Sequence, residues 1–577
     1  MGAYLKGRYS MAGLNGVLNM AKWGTLAQQA NIEVVAHNIA NVNTPGFSRQ
    51  NIVLEAGPSI TTSQGQIGTG VRVVTVKREY DKFISAQLNS EIQLLGSCKA
   101  RYANFQRLEE MFNESDGYGL SAMMGEFWNA WQALANNPQG QAERSALLGK
   151  AEMMAEGFNK KQHDLYALQE DINGSIKGAI DNINGLIDRI AGLNVRIASI
   201  EIGGGYANDL RDQRDCLLDE LAEEIGVSYF EESAGQVAIF LENGNPLVQG
   251  KTGWHLVAQA DVANHNFYRM MWDDGNGGLT DLTERISRGE LSGLIEMRDT
   301  AIPSYLKKVN QLAAGIIHEV NKLHYYGFGI DGSTENNFFH PLTVHTGSSG
   351  NNAGGASITT GAVYDTSGLT LDDYEIRFTG ADTFEIHNTT DGAQVMTARI
   401  NGVIDNGGSF VYTSGTLIEF DGIRAAINDG VGGPARGDIF TVNTIEDAAK
   451  AMAVNQVLAG DVGKIAAAEG NSGSDNLNAR AIAALRDANT MNNATAGFGS
   501  FFNGLVGEIG VRAAGSSRSH DYTQTMVDQL SNRKQSVSGV NLDEEMANLV
   551  RFQQAYIASA KVIVAVDEML QELLNMI

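Results

Sequence analysis

Several strings in this chain of 577 residues hold residue types able to do chemistry, and their spacings decide against it. The densest set of metal-ligand types is His318-Glu319-Val320-Asn321-Lys322-Leu323-His324. A helical zinc site needs its two histidines at i and i+4, so that both rings face one ion. Here the separation is six, about 240° round a helix, and the rings diverge. The pair reads as surface or capping histidines. Asp273-Asp274-Gly275-Asn276-Gly277-Gly278 has the residue types of a calcium loop. Counted from Asp274, its sixth residue is Leu279 where Gly is needed, and its twelfth is Arg285 where Glu is needed, so it reads as a plain turn. No phosphate-cradling Gly loop followed by Lys-Ser/Thr occurs, and no Gly-x-Ser-x-Gly elbow. Phe127, Trp128 and Trp131 fall at helical spacing without a polar constellation around them, which makes an aromatic core patch. Cys98 and Cys216 are too far apart in sequence for a metal cluster or a disulfide framework; they read as buried thiols, with a single bridge as the alternative. No catalytic residue, metal ligand or cofactor site follows, and the chain reads as a non-enzyme without cofactors.

The positions that carry information are those of long helices. The last stretch, Val540 to Ile577, places Leu542, Glu545, Leu549, Phe552, Tyr556, Ser559, Ile563, Val566, Leu570, Leu573 and Ile577 at alternating steps of three and four. All but Glu545 and Ser559 are apolar or aromatic. That is a heptad seam on a helix about 57 Å long. At the other end Met11, Leu14, Leu18, Ala21, Thr25, Gln28, Ile32, Val35 and Ile39 keep the same rhythm. Residues 1–40 carry a net charge of +2 (Lys6, Arg8, Lys22, Glu33). Residues 540–577 carry −4 (Arg551 and Lys561 against six carboxylates). Matching seams and opposite charge favour pairing of the two ends.

Between them the period of the apolar residues changes several times. Asn41-Val42-Asn43-Thr44-Pro45-Gly46 stops the first helix. Residues 50–78 read as two extended segments, and helix resumes from about Asp81 to Met111. From Leu165 through Ile176, Ile183 and Ile190 to Ile197 and Ile200 an apolar stripe runs on one long helix, ended by Gly203-Gly204-Gly205; a shorter helix over 207–225 completes a helical hairpin. Alternation over 227–272 predicts a small β-subdomain, helix returns over roughly 288–324, and 338–445 reads as an inserted β-domain. Helices resume near 446. The fold class is multidomain and mainly α, a long helical bundle and a terminal coiled coil formed by both chain ends, with inserted β-rich domains. The expected division is 1–55 and 536–577 for the axial coiled coil; 56–226, 285–337 and 446–535 for the bundle; 227–284 for the small β-subdomain; and 338–445 for the outer β-domain. A net charge of −25 argues against nucleic acid or an anionic membrane as partner. No run of 18 apolar residues exists, so no membrane insertion is expected. The N-terminal stretch lacks the pattern of a signal peptide, and composition alone reads as cytoplasmic.

The two ends also carry a family pattern. Ala40-Asn41-Val42-Asn43-Thr44-Pro45-Gly46-Phe47-Ser48-Arg49-Gln50 resembles the N-terminal signature of flagellar axial proteins. Ser538-Gly539-Val540-Asn541-Leu542-Asp543-Glu544-Glu545, continued by Phe552-Gln553-Gln554-Ala555-Tyr556, resembles their C-terminal signature. The long insert and the interior stretches Asn208–Asp215, Leu217–Leu221 and Asp475–Ala481 are similar to the hook-associated members. The resemblance is weak from about Phe338 to Thr444, and His37 and the leading ten residues depart from it.

The resemblance implies a structural subunit joining hook to filament, exported through the flagellar channel without a cleaved signal to an extracellular position. It implies self-association in a tube through the paired seams, Leu14, Leu18, Ile32, Val35 and Ile39 with Leu542, Leu549, Phe552, Tyr556, Ile563, Val566, Leu570 and Leu573. It implies hook protein and a second junction protein as partners, and an export chaperone (FlgN) on the C-terminal helix. A hook- or rod-type axial protein is the alternative, and an adhesin or enzyme carried on the β-domain a more distant one.

Overall fold

The computed structural model describes residues 4–62, 65–113, 119–262, 264–492 and 494–576, with side chains except those of residues 4–12, Thr62 and Thr360. Met11 and Ile577 of the expected seams, and the side chains of the leading ten residues, lie outside that description. The described helices are α1 (Tyr4–Ala40), α2 (Lys82–Phe112), α3 (Leu120–Asn136), α4 (Gln141–Glu201), α5 (Asn208–Glu224), α6 (Glu290–Glu296), α7 (Ile302–Tyr326), α8 (Ala448–Ala451), α9 (Gln456–Gly460), α10 (Leu477–Ala484), α11 (Phe498–Ser538) and α12 (Leu542–Asn575). The mainly helical class with inserted β-rich parts is what the periodicity dictates. The chain forms two compact units, residues 1–102, 173–295 and 516–577, and residues 103–172 and 296–515.

In the first unit, the chain leaves α1 through the Pro45-Gly46 turn and enters a β-arm. Gln50–Ala56 pairs antiparallel with Val71–Arg78, and beyond them Ile60–Thr62 pairs with Gly65–Ile67. The C-terminal part of α4 is buried along Ile176, Ile183, Ile190 and Ile197 as the stripe requires, while Ile200 is exposed. Ile180, Ile187 and Asn194 form a second buried line, spaced by seven, beside it. Asn194 explains this: its amide donates to Val237 O at 2.8 Å and accepts from Val237 N at 3.1 Å. Asn184 clamps Leu256 in the same two-point way, both bonds 2.8 Å. The hairpin of α4 and α5 is therefore also covered by strands. Those strands form a four-stranded sheet (Val227–Glu231, Val237–Leu241, Pro246–Gln249, Thr252–Gly253) and a three-stranded one (Leu256–Asp261, Phe267–Asp273, Leu279–Asp281). The Asp273–Gly278 segment is a turn held by Asp274, whose carboxylate accepts from Asn276 N and Gly278 N at 2.7 and 2.9 Å.

In the second unit, Phe127 and Trp131 are fully buried against Phe338 and Phe339, an aromatic core. The two histidines are not on the surface. His318 is buried, and His324 is wholly enclosed: its Nδ1 donates to Asn336 O at 2.6 Å and its Nε2 accepts from Ala466 N at 2.9 Å. The 240° divergence holds, but both faces of α7 are covered, and the His324 ring bridges two chain segments. Burial pushes both imidazoles down to about 4. From 446 onward the expected run of helix is broken into α8, α9 and α10, of four, five and eight residues. Gly460, Gly463, Gly470 and Gly473 interrupt the pattern there. The inserted β-domain is one antiparallel ten-stranded sheet in the order Val403–Asp405, Ala398–Ile400, Thr416–Phe420, Ile423–Asn428, Ser357–Val363, Thr343–Ser348, Ile439–Asn443, Tyr374–Phe378, Thr383–Asn388, Phe410–Val411. Its alternating residues Ile376, Phe378, Phe384, Ile386, Ile418, Phe420 and Phe440 fill the core.

Candidate assembly site

The two terminal helices lie against each other. On α12, Val566 and Glu545 are each 1% exposed; Leu549, Phe552, Ile563, Leu570 and Leu573 are half-buried, and Leu542 (44%) and Tyr556 (37%) are exposed. On α1, Val35 is buried and Leu14, Leu18, Ile32 and Ile39 are half-buried. The innermost residues of α1 are Ala21, Ala27, Asn31, Val35 and Asn38, so Ile32 and Ile39 flank the contact instead of filling it. Gly24 marks the close approach: a Cβ there would stand 3.3 Å from Ser559 Oγ. Asn31 and Asn38, seven apart, are what an apolar count overlooks; polar residues at such positions fix register.

A second apolar line on α12, Val550, Ile557 and Val564, again spaced by seven, is exposed, as are Met546, Met569 and Leu574 and, on α1, Val17, Trp23 and Leu26. An 18-residue stretch within the α11–α12 segment is, by length and composition, apolar enough to cross a membrane, and 6% of it is buried. The run-length criterion missed it because scattered polar residues break the run without lowering its mean. Exposed apolar surface of this extent marks an interaction face.

Below the paired helices the signature residues form a polar clasp. Asn38 Nδ2 donates to Gln50 O and to Glu545 Oε2, and Asn38 Oδ1 accepts from Gln50 N, at 2.9, 3.0 and 3.0 Å. Arg49 binds Glu545 at 2.7 Å and Glu544 at 3.0 Å, and its N–H donates to Ser538 O. The buried Glu545 carboxylate, the polar exception in the seam, thus has the cation and donor that its burial demands. Asn541 caps α12, accepting from Asp543 N and Glu544 N. Gly539 closes α11, and any Cβ there would collide with Gln535 O.

The other wall of the clasp is α5. Ser48 gives its N–H and its hydroxyl to Asp212, both at 2.8 Å; Arg78 pairs with Asp212 and Asp215 at 2.6 and 2.7 Å; Gln50 Nε2 reaches Asp209 at 2.6 Å. Burial pushes the Asp212 carboxyl up, outweighing Arg78 and Ser48. Burial alone would lower Arg78, and Asp215 with Asp212 hold it raised. Asn41 anchors the turn through His37 O and accepts from Thr44 Oγ1, and Phe47 meets the His37 ring edge-on at 5.4 Å. Asn43, Thr44, Pro45 and Gly46 are exposed, and Thr44 and Pro45 line an open groove of about 740 Å³ with Arg189, Arg196 and Cys216. Gly46 has φ +75°, and a Cβ would sit 2.1 Å from Cys216 Sγ, so only glycine fits. The Asn208–Asp215 stretch was visible in sequence as a pattern; its role as the wall holding Ser48 and Arg78 was not, because that contact spans about 160 residues of chain. Among the described residues no group of three metal-ligating side chains converges.

The chain is similar to known proteins. The model for the flagellar hook-associated protein FlgK helical domain matches residues 105–339, that for the flagellar basal body rod FlgEFG protein C-terminal region matches 534–576, and that for flagella basal body rod proteins matches 18–47. Flagellar hook-associated protein 1 of Escherichia coli K12 is 31% identical over 97% of this chain and 100% of its own length. Its Bacillus subtilis counterpart is 27% identical, covering 97% of each chain. The solved structure of the flagellar hook junction protein FlgK from Burkholderia pseudomallei superposes with a TM-score of 0.58 at 18% identity, over 78% of this chain and 100% of that one, which shows the fold.

Proposed function

The chain belongs to the flagellar hook-associated protein 1 family, a structural component of the bacterial flagellum at the hook–filament junction, and from that premise we propose how it assembles. The α1–α12 pair, with residues 1–55 and 536–577, acts as the axial module: its inner seam joins the two ends of one copy, and its outer stripe joins copies. The single observation that carries this is the exposed line Val550, Ile557 and Val564 on a helix whose opposite side is engaged by α1. Head-to-tail contacts of this kind build open tubes. Axial flagellar proteins are its partners; hook protein on one side, a second junction protein on the other, and an export chaperone (FlgN) over α12 before secretion complete the proposal. Export to the cell exterior proceeds without a cleaved signal, and the ten-stranded sheet faces outward. The test replaces the chromosomal copy by one carrying Ile557→Asp. The secreted protein should fold and fail to join hook to filament. Normal filaments from that strain would sink the role given to the outer stripe.

A further inference from the structure

Two of the sheet edges in the first unit are complementary, and we propose that they meet between copies: the β-arm tip (Ile60–Thr62 with Gly65–Ile67) of one copy adds to strand Val227–Glu231 of another. The inference rests on the self-association proposed above and names one of its contacts. Val227–Glu231 is an end strand of its sheet. Its hydrogen-bond parity is fixed by Glu232 N, which donates to Gln236 O at 2.8 Å. With the observed register, Ser228 and Phe230 then face the neighbouring strand, while the backbone groups of Val227, Tyr229 and Glu231 point outward. Gln93 of α2 satisfies Val227 O at 2.8 Å. The outward groups of Tyr229 and Glu231 line instead a groove of about 680 Å³ whose far wall is α2, with Asn89 and Ser90, and which the exposed Lys82–Glu231 ion pair, 3.0 Å, spans at one end. A groove floored by strand backbone and walled by a helix takes an extended segment as an added strand.

The arm tip has matching chemistry. No ionisable residue lies between Glu55 and Arg72, and Ile60 and Ile67, opposite each other in register, are both exposed. Natural edges are ordinarily guarded by charge; this one is bare, as befits an edge that is used. The arm cannot reach the groove of its own copy. Its base is pinned at Asn38–Gln50, and Gly70 lies against Met20, eighteen residues back along α1, so the arm runs about 27 Å away from Arg78 at the groove. A second copy is the occupant that the chain itself supplies.

The test uses full-length chain in isolated flagella, in a Cys98→Ser, Cys216→Ser background. Gln66→Cys with Ser90→Cys should give disulfide-linked multimers on mild oxidation, and neither single substitution should. Chain incorporated without such linkage overturns the arm contact. An amine-reactive linker on the wild type reads self-association separately: only monomers there would overturn the underlying reading. Glu231→Pro removes one outward N–H at a position outside the ladder, whereas Glu231→Gln keeps it. Incorporation should fall at least about fivefold in the first and stay within about twofold in the second, with shared unfolding midpoints. Equal incorporation of both would also overturn the contact.

Discussion

α4 and α12 carry the same sequence device and end in opposite states. Each has a principal apolar stripe and a second line spaced by seven: Ile180, Ile187 and Asn194 close beside the stripe on α4, and Val550, Ile557 and Val564 about 100° or more round from it on α12. On α4 the second line is enclosed, because Asn194 and Asn184 pin the small sheets across it. On α12 it is open. A lone polar residue within a stripe is the discriminating mark. Asn194 bonds strand backbone at Val237, so it signals a β-partner within the chain, whereas Val550, Ile557 and Val564 have no such residue and take a partner made of side chains. The first substitution pair follows directly. Ile187→Asp should destabilise the first unit by roughly 3–5 kcal/mol, since it buries an unpaired carboxylate. Ile557→Asp should change monomer stability by about 0.5 kcal/mol or less. Denaturant titration of both decides; equal losses would mean that the outer line of α12 is covered within one copy.

Next in size is the inner seam of α12. Val566→Asp places a charge at a 1% exposed position and should separate α12 from α1, at a cost of about 2–3 kcal/mol. Gln571→Asp, exposed and off the seam, should be near neutral. Limited proteolysis should trim α12 in the first variant and spare it in the second. Leu570 and Ile563, half-buried, should fall between the two, which ranks the seam by burial rather than by apolar type.

The legibility of the chain follows the same division. The seam rhythm, the long α4 and the β-insertion were open to reading because each is a local period. The clasp was not. Its parts, Asn38, Arg49, Arg78, Asp212 and Glu545, come from four distant segments, and polar residues meeting across such distances leave no periodic trace. Only Glu545, a carboxylate where the rhythm calls for an apolar residue, pointed to it. His324 misled for a related reason: angular spacing on one helix says nothing of what covers the helix from outside. The segment after 446 breaks into short helices because Gly460, Gly463, Gly470 and Gly473 fall between its Ala-rich runs.

A smaller effect tests the covered side by pH. At the end of α5, Glu224 is pushed up to about 7, first by burial, then by Glu290 and Glu223, with Asn182 of α4 opposing. An acid whose folded value is raised binds more protons folded than unfolded, so its contribution is fullest below about 4.5 and declines as pH rises through about 7. Glu224→Gln should therefore flatten the stability profile of the first unit between those values and raise stability at pH 8. His324 works in the opposite sense: held at about 4, it withdraws stability as pH falls from about 6.5. An unchanged slope in Glu224→Gln would assign the pH dependence elsewhere and leave Glu224 ionised at neutral pH.

The smallest effect on either helix should come from removing the ten-stranded sheet. The sequence-based boundary at 338 needs moving for this test, because Phe338 and Phe339 are fully buried in the aromatic core, His340 N donates to Ala453 O, and Asn455 N donates to Phe338 O. The insertion proper begins at Thr343–Ser348, which pairs with Ile439–Asn443, so His345 and Asn443 face each other and the two ends are adjacent. A short Gly-Ser linker spans that gap, and loop entropy grows slowly with length. Removing the sheet also breaks the ion pair between Lys307 of α7 and Asp373, whose exposure makes it worth little. Replacing residues 343–443 should thus leave a helical protein whose α4 and α12 respond to Ile187→Asp and Ile557→Asp as in the full chain, read by circular dichroism and denaturant titration. Complementation with the same truncated chain separates two roles for the sheet. If motility returns, the axial helices suffice for the junction. If the chain folds and motility does not return, the sheet supplies a contact that neither stripe provides. A truncated chain that fails to fold would instead place the sheet within the core of the second unit.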